Sequence, residues 1–294
     1  MISIVIPAYN EEQSILITIE QIMNTLSNKK IPYEIIIVND GSTDNTKQIL
    51  QDLPNSIKTN LNIINHPHNI GYGRSLKDGI MQAKYDTIVI TDADQTYPFQ
   101  YIDPLLSEYN KGFDMVVAAR TGKYYKESLI KSPLRKILKF LVEYTAGRTI
   151  PDINSGFRVF SKQCVIPYMD HLCDTFSFTT SITLAYMMTA KYVHYVPINY
   201  EKRSGVTKVR MFRDSMRTLQ YILQAINYYN PLKIFLLFAI LCVILSSIGF
   251  FMSAVFGLKS GFLLGIGGLL VTLVVISIGL LADLLKQIMN QSKK

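Results

Sequence analysis

The chain has 294 residues, room for one ample domain and an appendage. Apolar residues make up 49% and the mean hydropathy is +0.19, yet the apolar excess is concentrated after Pro231, which points to a soluble part followed by a membrane part. The net charge of +8 is local too, with basic surpluses at 120–148 and 200–217 and no nucleic-acid motif beside them; anionic lipid or phosphate ligands fit this pattern, and no nucleic acid is expected as a partner.

In chain order, apolar β-rich runs recur at Ile2–Ile6, Glu34–Asn39, Leu61–Asn65, Thr87–Thr91 and Met115–Ala118. Helical patterns separate them near Glu11–Leu26, Asp44–Leu50, Tyr72–Ala83 and Phe99–Asn110. Continuous apolar strands alternating with helices predict an α/β domain, Rossmann-like, with a mainly parallel sheet. The N-terminus lacks the basic region and cleavage site of a signal peptide, so no secretion is expected. Cys164, Cys173 and Cys242 show no metal-ligand spacing and read as reduced thiols in a cytosolic setting.

Two amphipathic stretches follow. One carries Leu134, Leu138, Leu141 and Thr145 beside Lys131, Arg135, Lys136 and Lys139; the other, Arg213–Tyr229, carries Met216, Leu219, Leu223 and Ile226. Each could cover the core or lie on a membrane surface. Ile234–Phe256 and Gly261–Ala282 are uncharged runs of 23 and 22 residues, against the roughly 20 needed to span a bilayer. Gly257, Leu258, Lys259 and Ser260 join them as a hairpin, in which Gly265, Gly267 and Gly268 would permit close helix packing. The positive-inside rule places both termini in the cytoplasm, making this a two-span membrane protein. The resulting division is a domain over 1–208, an amphipathic juxtamembrane helix over 209–232, and a membrane hairpin with a short tail over 233–294.

Ligands of parallel sheets bind at the carboxyl ends of the strands. The polar clusters fall there: Pro7–Glu12 after the first strand, Asn39–Asp44 after the second, and Asp92-Ala93-Asp94-Gln95 after the fourth. Helix capping accounts for Asn10 and Asp44, but not for Asp40 or the Asp92/Asp94 pair. Two carboxylates two residues apart can share one hard cation or a ribose hydroxyl, and a metal-bridged diphosphate is a better leaving group.

These residues resemble a known family. PAYNEE (7–12), VNDGSTDNT (38–46), NIGYG (69–73), DADQTYP (92–98), DINSGFRVF (152–160) and RSGVTK (203–208) are similar, in this order, to the motifs of family 2 glycosyltransferases of the GT-A fold, within the dolichyl- and bacterial polyprenyl-phosphate sugar synthases. The terminal hairpin looks like the anchor of many members. The resemblance implies that Pro7, Tyr9, Glu11, Asp40 and Ala93 help to hold the nucleotide-sugar. It implies that Asp92 and Asp94 bind Mg2+ or Mn2+ and the donor diphosphate, with Gln95 as third metal ligand. Many members place a glutamine where this chain has Thr96. Arg203 and Lys208 would close over the diphosphate in a loop where Thr207 replaces the usual serine. Arg120, Arg135, Ser155 and Arg158 would face the acceptor phosphate; for Arg158 a structural pairing with an acid such as Asp152 stays open. The implied activity is transfer of one sugar, with inversion, from a UDP- or GDP-linked donor to a polyprenyl phosphate in the membrane. Relatives can be tetramers. Another lipid or glycan acceptor, a nucleotidyltransferase, and a non-enzymatic sugar-nucleotide binding protein are the competing readings.

Overall fold

Strand β1 (Ile2–Ala8) is buried at every position, which is why its sequence shows no polar alternation. In the computed structural model, which describes residues 1–27, 29, 31–122, 132–202 and 211–291, the chain separates into two units, Met1–Tyr221 and Ile222–Lys294.

The first unit is built on a seven-stranded sheet of order β3-β2-β1-β4-β6-β5-β7. Strands β2 (Tyr33–Asn39), β3 (Leu61–Asn65) and β4 (Thr87–Ile90) run parallel with β1, in registers that set Ile4 beside Ile35 and Val89. Beyond β4 comes β6 (Arg158–Ser161), antiparallel to both neighbours, then β5 (Met115–Thr121) and β7 (Val193–Asn199), parallel to each other. The five expected strands are all present. The other two lack the apolar signal: β6 has four residues and opens on an arginine, and β7 carries Pro197, tolerated because β7 is an edge strand.

Helices cover both faces. On one, Ile15, Ile19 and Ile22 of α1 (Ile15–Ser27) join the core of Ile4, Ile6, Ile35 and Ile37, all at most 1% exposed. Each such side chain contributes about 1.5–3 kcal/mol of transfer free energy. On the other, α4 (Tyr72–Gln82) lies so close that a Cβ on Gly79 would fall 2.4 Å from Val5 Cγ1. Helix α1 begins four residues later than expected, because Glu11 instead closes a turn, its carbonyl accepting from Ser14 N and Ile15 N. The remaining helices of this unit are α2 (Thr46–Gln51), α3 (Asn55–Lys58), α5 (Ile102–Tyr109, after a 3-10 turn at Phe99–Tyr101), α6 (Ser132–Ala146), α7 (Lys162–Val165) and α8 (Phe178–Met188). Buried at nearly every position, α8 has no polar face, so no helical period betrays it. Helix α9 (Met211–Tyr229) leads into the second unit.

That unit holds the last turns of α9 and a hairpin of α10 (Pro231–Phe256) and α11 (Lys259–Gln291), with proline in the first turn of α10 and Gly257 in the left-handed region at its end (φ 68°). Both helices are long and apolar enough to cross a membrane, with mean hydropathies of 2.8 and 2.5 over an 18-residue stretch of each. The expected spans fall inside them, although α11 continues well past Ala282. Small residues line the contact: a Cβ on Gly249 would meet the Gly261 carbonyl at 2.7 Å, and Ser246 Oγ donates to the Gly265 carbonyl at 2.5 Å. Gly265 and Gly268 sit in this contact as expected, whereas Gly267 faces open space.

Candidate active site

Because β1 lies between β2 and β4 and runs parallel to both, the loops after these three strands meet at one sheet edge. The first two are zipped together. Asn10, held at φ 54°, donates from its N–H to Ser42 Oγ (2.9 Å) and accepts from Thr43 N (2.8 Å). Glu11 N donates to Thr46 Oγ1, Glu12 N to Asp44 Oδ2, and Asn45 N to Glu12 Oε2. Asn10 and Asp44 thus join loops; Asp44 also accepts from Thr46 N at the start of α2.

Among the residues expected at the nucleotide, Pro7 is buried in β1, Tyr9 is half-buried, and the Glu11 carboxylate accepts from Ser14 Oγ at 2.9 Å. Asp40 is 3% exposed. Its Oδ1 accepts from Ile70 N (3.0 Å) and lies 2.9 Å from His66 Nδ1, while Oδ2 accepts from Gly71 N (2.9 Å). This carboxylate therefore fastens the loop before α4 to the sheet edge, a duty that the sequence did not suggest. Gly41, at φ 64°, passes so close to His68 that a Cβ would sit 2.3 Å from its carbonyl carbon, so only glycine fits there.

Asp92 and Asp94 stand just past β4, each anchored by a hydroxyl. Tyr72 OH donates to Asp92 Oδ1 at 2.8 Å, and the Tyr72 ring stacks on Phe176, centroids 5.9 Å apart. Burial first, and then the Asp92 charge, push the Tyr72 phenol well above its usual pKa, so it stays a proton donor at neutral pH. Gly156 backs the same carboxylate: a Cβ there would lie 2.7 Å from both Asp92 oxygens. Asp94, 5% exposed, accepts from Thr96 Oγ1 (2.5 Å) and Thr96 N (3.2 Å). Thr96, at the position where many members carry glutamine, thus anchors Asp94. Ala93 is buried, its carbonyl accepting from Thr18 Oγ1 at 3.0 Å. Gln95, expected as third metal ligand, has φ 62° and gives Nε2 to the Ser14 carbonyl at 3.3 Å.

Among the described residues no three His, Cys, Asp or Glu side chains are grouped to hold a metal. The donor set fits Mg2+ or Mn2+ all the same: hard oxygens from two carboxylates, the remaining positions left for phosphate and water, is the usual arrangement for Mg2+.

On the acceptor side, two of the expected residues are buried. Arg158 is fully buried, with Nε on the Ser155 carbonyl (2.7 Å), one terminal nitrogen on Thr183 Oγ1 (2.7 Å) and the other on the Ile153 carbonyl (2.8 Å). Burial lowers its pKa, and it braces the 153–155 turn from inside rather than facing a lipid phosphate. Ser155 is likewise buried, its Oγ 3.5 Å from Tyr97 OH. Asp152 pairs not with Arg158 but with Arg120, whose Nε and one terminal nitrogen grip Oδ2 and Oδ1 at 2.7 and 2.9 Å. Burial pushes the Asp152 carboxyl up, but the Arg120 hydrogen bonds and charge, with backbone N–H groups of Arg120 and Asn154, outweigh it and hold the pKa below the usual range. The Arg120 guanidinium also lies over the Tyr200 ring. The side chain of Arg135, and Arg203, Thr207 and Lys208, lie outside the described residues.

Nothing in the sequence marks Tyr72, Thr96, Tyr97 and Gly156 as site residues. All sit inside the quoted motifs, but each acts by holding a neighbour. Tyr97 OH accepts from Gly156 N at 2.7 Å, so the 153–157 turn is tied to the Asp92–Tyr97 loop.

The undecaprenyl-phosphate 4-deoxy-4-formamido-L-arabinose transferase of Yersinia enterocolitica is 27% identical over 234 residues, 79% of this chain and 69% of that protein. The protein of the same description from Pectobacterium carotovorum is 25% identical over 233 residues, with the same coverage. Among solved structures, glucosyl-3-phosphoglycerate synthase from Mycobacterium tuberculosis, in complex with Mn2+, UDP and phosphoglyceric acid, superposes with a TM-score of 0.57 at 18% identity, over 76% of this chain and 78% of that one. That likeness shows the fold, a GT-A-like α/β domain with a mostly parallel sheet. The family model for Glycosyl transferase family 2 matches residues 3–167, more than half of the chain, and the protein therefore belongs to family 2 of the glycosyltransferases.

Proposed function

We propose that this glycosyltransferase moves one monosaccharide from a UDP- or GDP-linked donor to the phosphate of a polyprenyl lipid, with inversion at the anomeric carbon. The observation that carries the reading is the Asp92/Asp94 pair, anchored at the carboxyl end of β4, in a chain that ends in an apolar hairpin of spanning length. The names of the relatives, undecaprenyl-phosphate transferases matched over 79% of the chain, support the acceptor.

Asp92 and Asp94 would hold Mg2+ or Mn2+, which when bound offsets negative charge on the donor diphosphate. Arg203 and Lys208, by the family resemblance of their motif, would stabilise charge that grows on the departing diphosphate. Arg135 holds the acceptor phosphate, a group whose oxygens suit a guanidinium fork. Arg120 keeps its carboxylate partner, Asp152, and so shapes the wall beside the 153–157 turn. A phosphate monoester has its second pKa near about 6, so its oxygen is already anionic at neutral pH. It attacks the anomeric carbon directly, and no side chain is needed as general base. The catalytic domain and both termini then face the cytoplasm, a reading supported by the charge distribution: Lys259 is the sole charge in the turn, while Lys233 and Lys286 lie at the opposite end.

The test uses the full chain in mild detergent with Mg2+ or Mn2+ and undecaprenyl phosphate, offered UDP- and GDP-sugars one at a time, with lipid products read by mass spectrometry. A polyprenyl-phosphate monosaccharide is expected with at least one donor. Transfer to another acceptor only, or donor hydrolysis alone, overturns the acceptor assignment and leaves the fold standing.

A further inference from the structure

We propose that Tyr72 is a positioning residue for Asp92: its hydroxyl, fixed by the packing of the first turn of α4, holds the carboxylate in the orientation that receives a divalent cation. The inference rests on the reading that Asp92 is a metal ligand.

The contact joins the first turn of α4 to the loop after β4, 20 residues on in sequence, with Tyr72 OH donating to Asp92 Oδ1 at 2.8 Å. A tyrosine on a mobile turn would make a poor clamp, since holding a long side chain still costs rotamer entropy. Tyr72 is held on several sides. The Gly71 N–H before it is taken by Asp40 Oδ2 at 2.9 Å. Gly73 after it lies so close to the 173–175 segment that a Cβ would sit 2.1 Å from the Cys173 carbonyl oxygen. Further along α4, Arg74 N donates to the Asp174 carbonyl (2.9 Å), and Lys77 Nζ reaches the Leu172 carbonyl (2.6 Å) and Asp174 Oδ1 (2.7 Å). The ring itself lies nearly parallel to Phe176, at an interplanar angle of 13°. The 172–176 segment thus presses both the backbone and the ring of Tyr72 into place.

Asp92 is meanwhile backed by Gly156, where no side chain intervenes. A hydrogen-bond donor on Oδ1 and a backbone wall behind both oxygens limit the carboxylate's rotation. Outer-shell donors of this kind orient metal ligands, and removing one typically costs about 10- to 100-fold in metal affinity or activity. The segment 172–176, which is remote in sequence from all three acidic clusters, is therefore part of the site's support.

The experiment compares the detergent-purified full chain with Tyr72→Phe, which keeps the ring and its stacking but removes the hydroxyl. Mn2+ is titrated alone, with UDP and with GDP, and the free ion is read by electron paramagnetic resonance; the metal-free thermal midpoint is recorded alongside. The expected result is a Mn2+ dissociation constant raised about 10-fold or more, with the metal-free midpoint lowered by no more than about 3 °C. In turnover the metal requirement should rise similarly, with kcat largely restored at saturating Mn2+. Phe176→Leu, which keeps the hydroxyl but removes the stacked ring, should weaken Mn2+ binding by a smaller factor. Unchanged Mn2+ affinity in Tyr72→Phe, or no Mn2+ binding by the wild type with either nucleotide, overturns the proposal; unchanged affinity in Phe176→Leu overturns the role of the ring. None of these readouts needs the lipid, so they fail or succeed independently of the acceptor assignment.

Discussion

Replacing Gly156 by alanine isolates the geometry of Asp92. The Gly156 φ lies outside the left-handed region, so its backbone suits alanine, and the substitution would by itself stabilise the fold by about 0.4–1 kcal/mol through the unfolded chain. The obstacle is local. The new Cβ would lie 2.7 Å from both Asp92 oxygens, and reaching ordinary contact requires the carboxylate to withdraw by about 0.7 Å. Asp92 is also tied to Tyr72, so it would swing off its hydrogen bond as it moves. Misplacing a reacting constellation by about 1 Å costs about 100-fold, and the account expects a comparable fall in kcat/KM, about 2.7 kcal/mol of barrier. The thermal midpoint should change little. The assay is initial-rate sugar transfer at several Mn2+ concentrations, with a melting curve on the same preparation. A variant that keeps wild-type kcat/KM and metal dependence refutes the claim that the Asp92 position matters to this accuracy.

Arg158→Met leaves the Ser155 and Ile153 carbonyls and Thr183 Oγ1 without their donor; at about 1–3 kcal/mol for each such buried group, the thermal midpoint should fall by at least about 6 °C, with KM for the lipid unchanged. A raised lipid KM in a protein of normal stability would return Arg158 to the acceptor site. Arg120→Met breaks a buried ion pair, at about 3 kcal/mol, and the loss should depend on pH. In the wild type the depressed Asp152 pKa contributes stability above the ordinary carboxylate pKa of about 4, lost as pH falls through the folded value. In the variant burial dominates and raises that pKa, so its deficit should be largest near neutrality and narrow towards about pH 4 in denaturation curves; a deficit independent of pH contradicts the pairing. For topology, in a cysteine-free background Ser260→Cys should react with an impermeant thiol reagent only from the non-cytoplasmic side, and Gln291→Cys only from the cytoplasmic side. Labelling of both from one side excludes a two-span hairpin.

How far the sequence reveals the site depends on what each residue does. Strands β1 to β5 and the convergence of three acidic clusters were legible, because a strand covered on both faces must be continuously apolar and parallel strands deliver their loops to one edge. Strand β6 was not, since its pairing partners lie far away in sequence and its first residue, Arg158, is a charged group buried among oxygens that accept its hydrogen bonds. The same reason hid the exchange of partners at Asp152: both arginines were plausible from the motifs, and only the sheet register, with Arg158 beside Ile90 and Val117, buries one and leaves the other to pair. Asp92 and Asp94 carried their own chemical signature. Tyr72 and Gly156 did not, because a residue that acts by holding another shows its purpose only when the contact is seen.

The central claim is that the nucleophile is a lipid phosphate already charged at neutral pH. The most direct test offers the purified enzyme, with its donor and Mn2+, equal amounts of undecaprenyl phosphate and of undecaprenol, which differ only in that phosphate, and follows labelled sugar into the lipid phase. Product is expected from the phosphate alone, with rate falling as pH drops below the acceptor's second pKa of about 6. Comparable transfer to undecaprenol, or a rate indifferent to that ionisation, would contradict it.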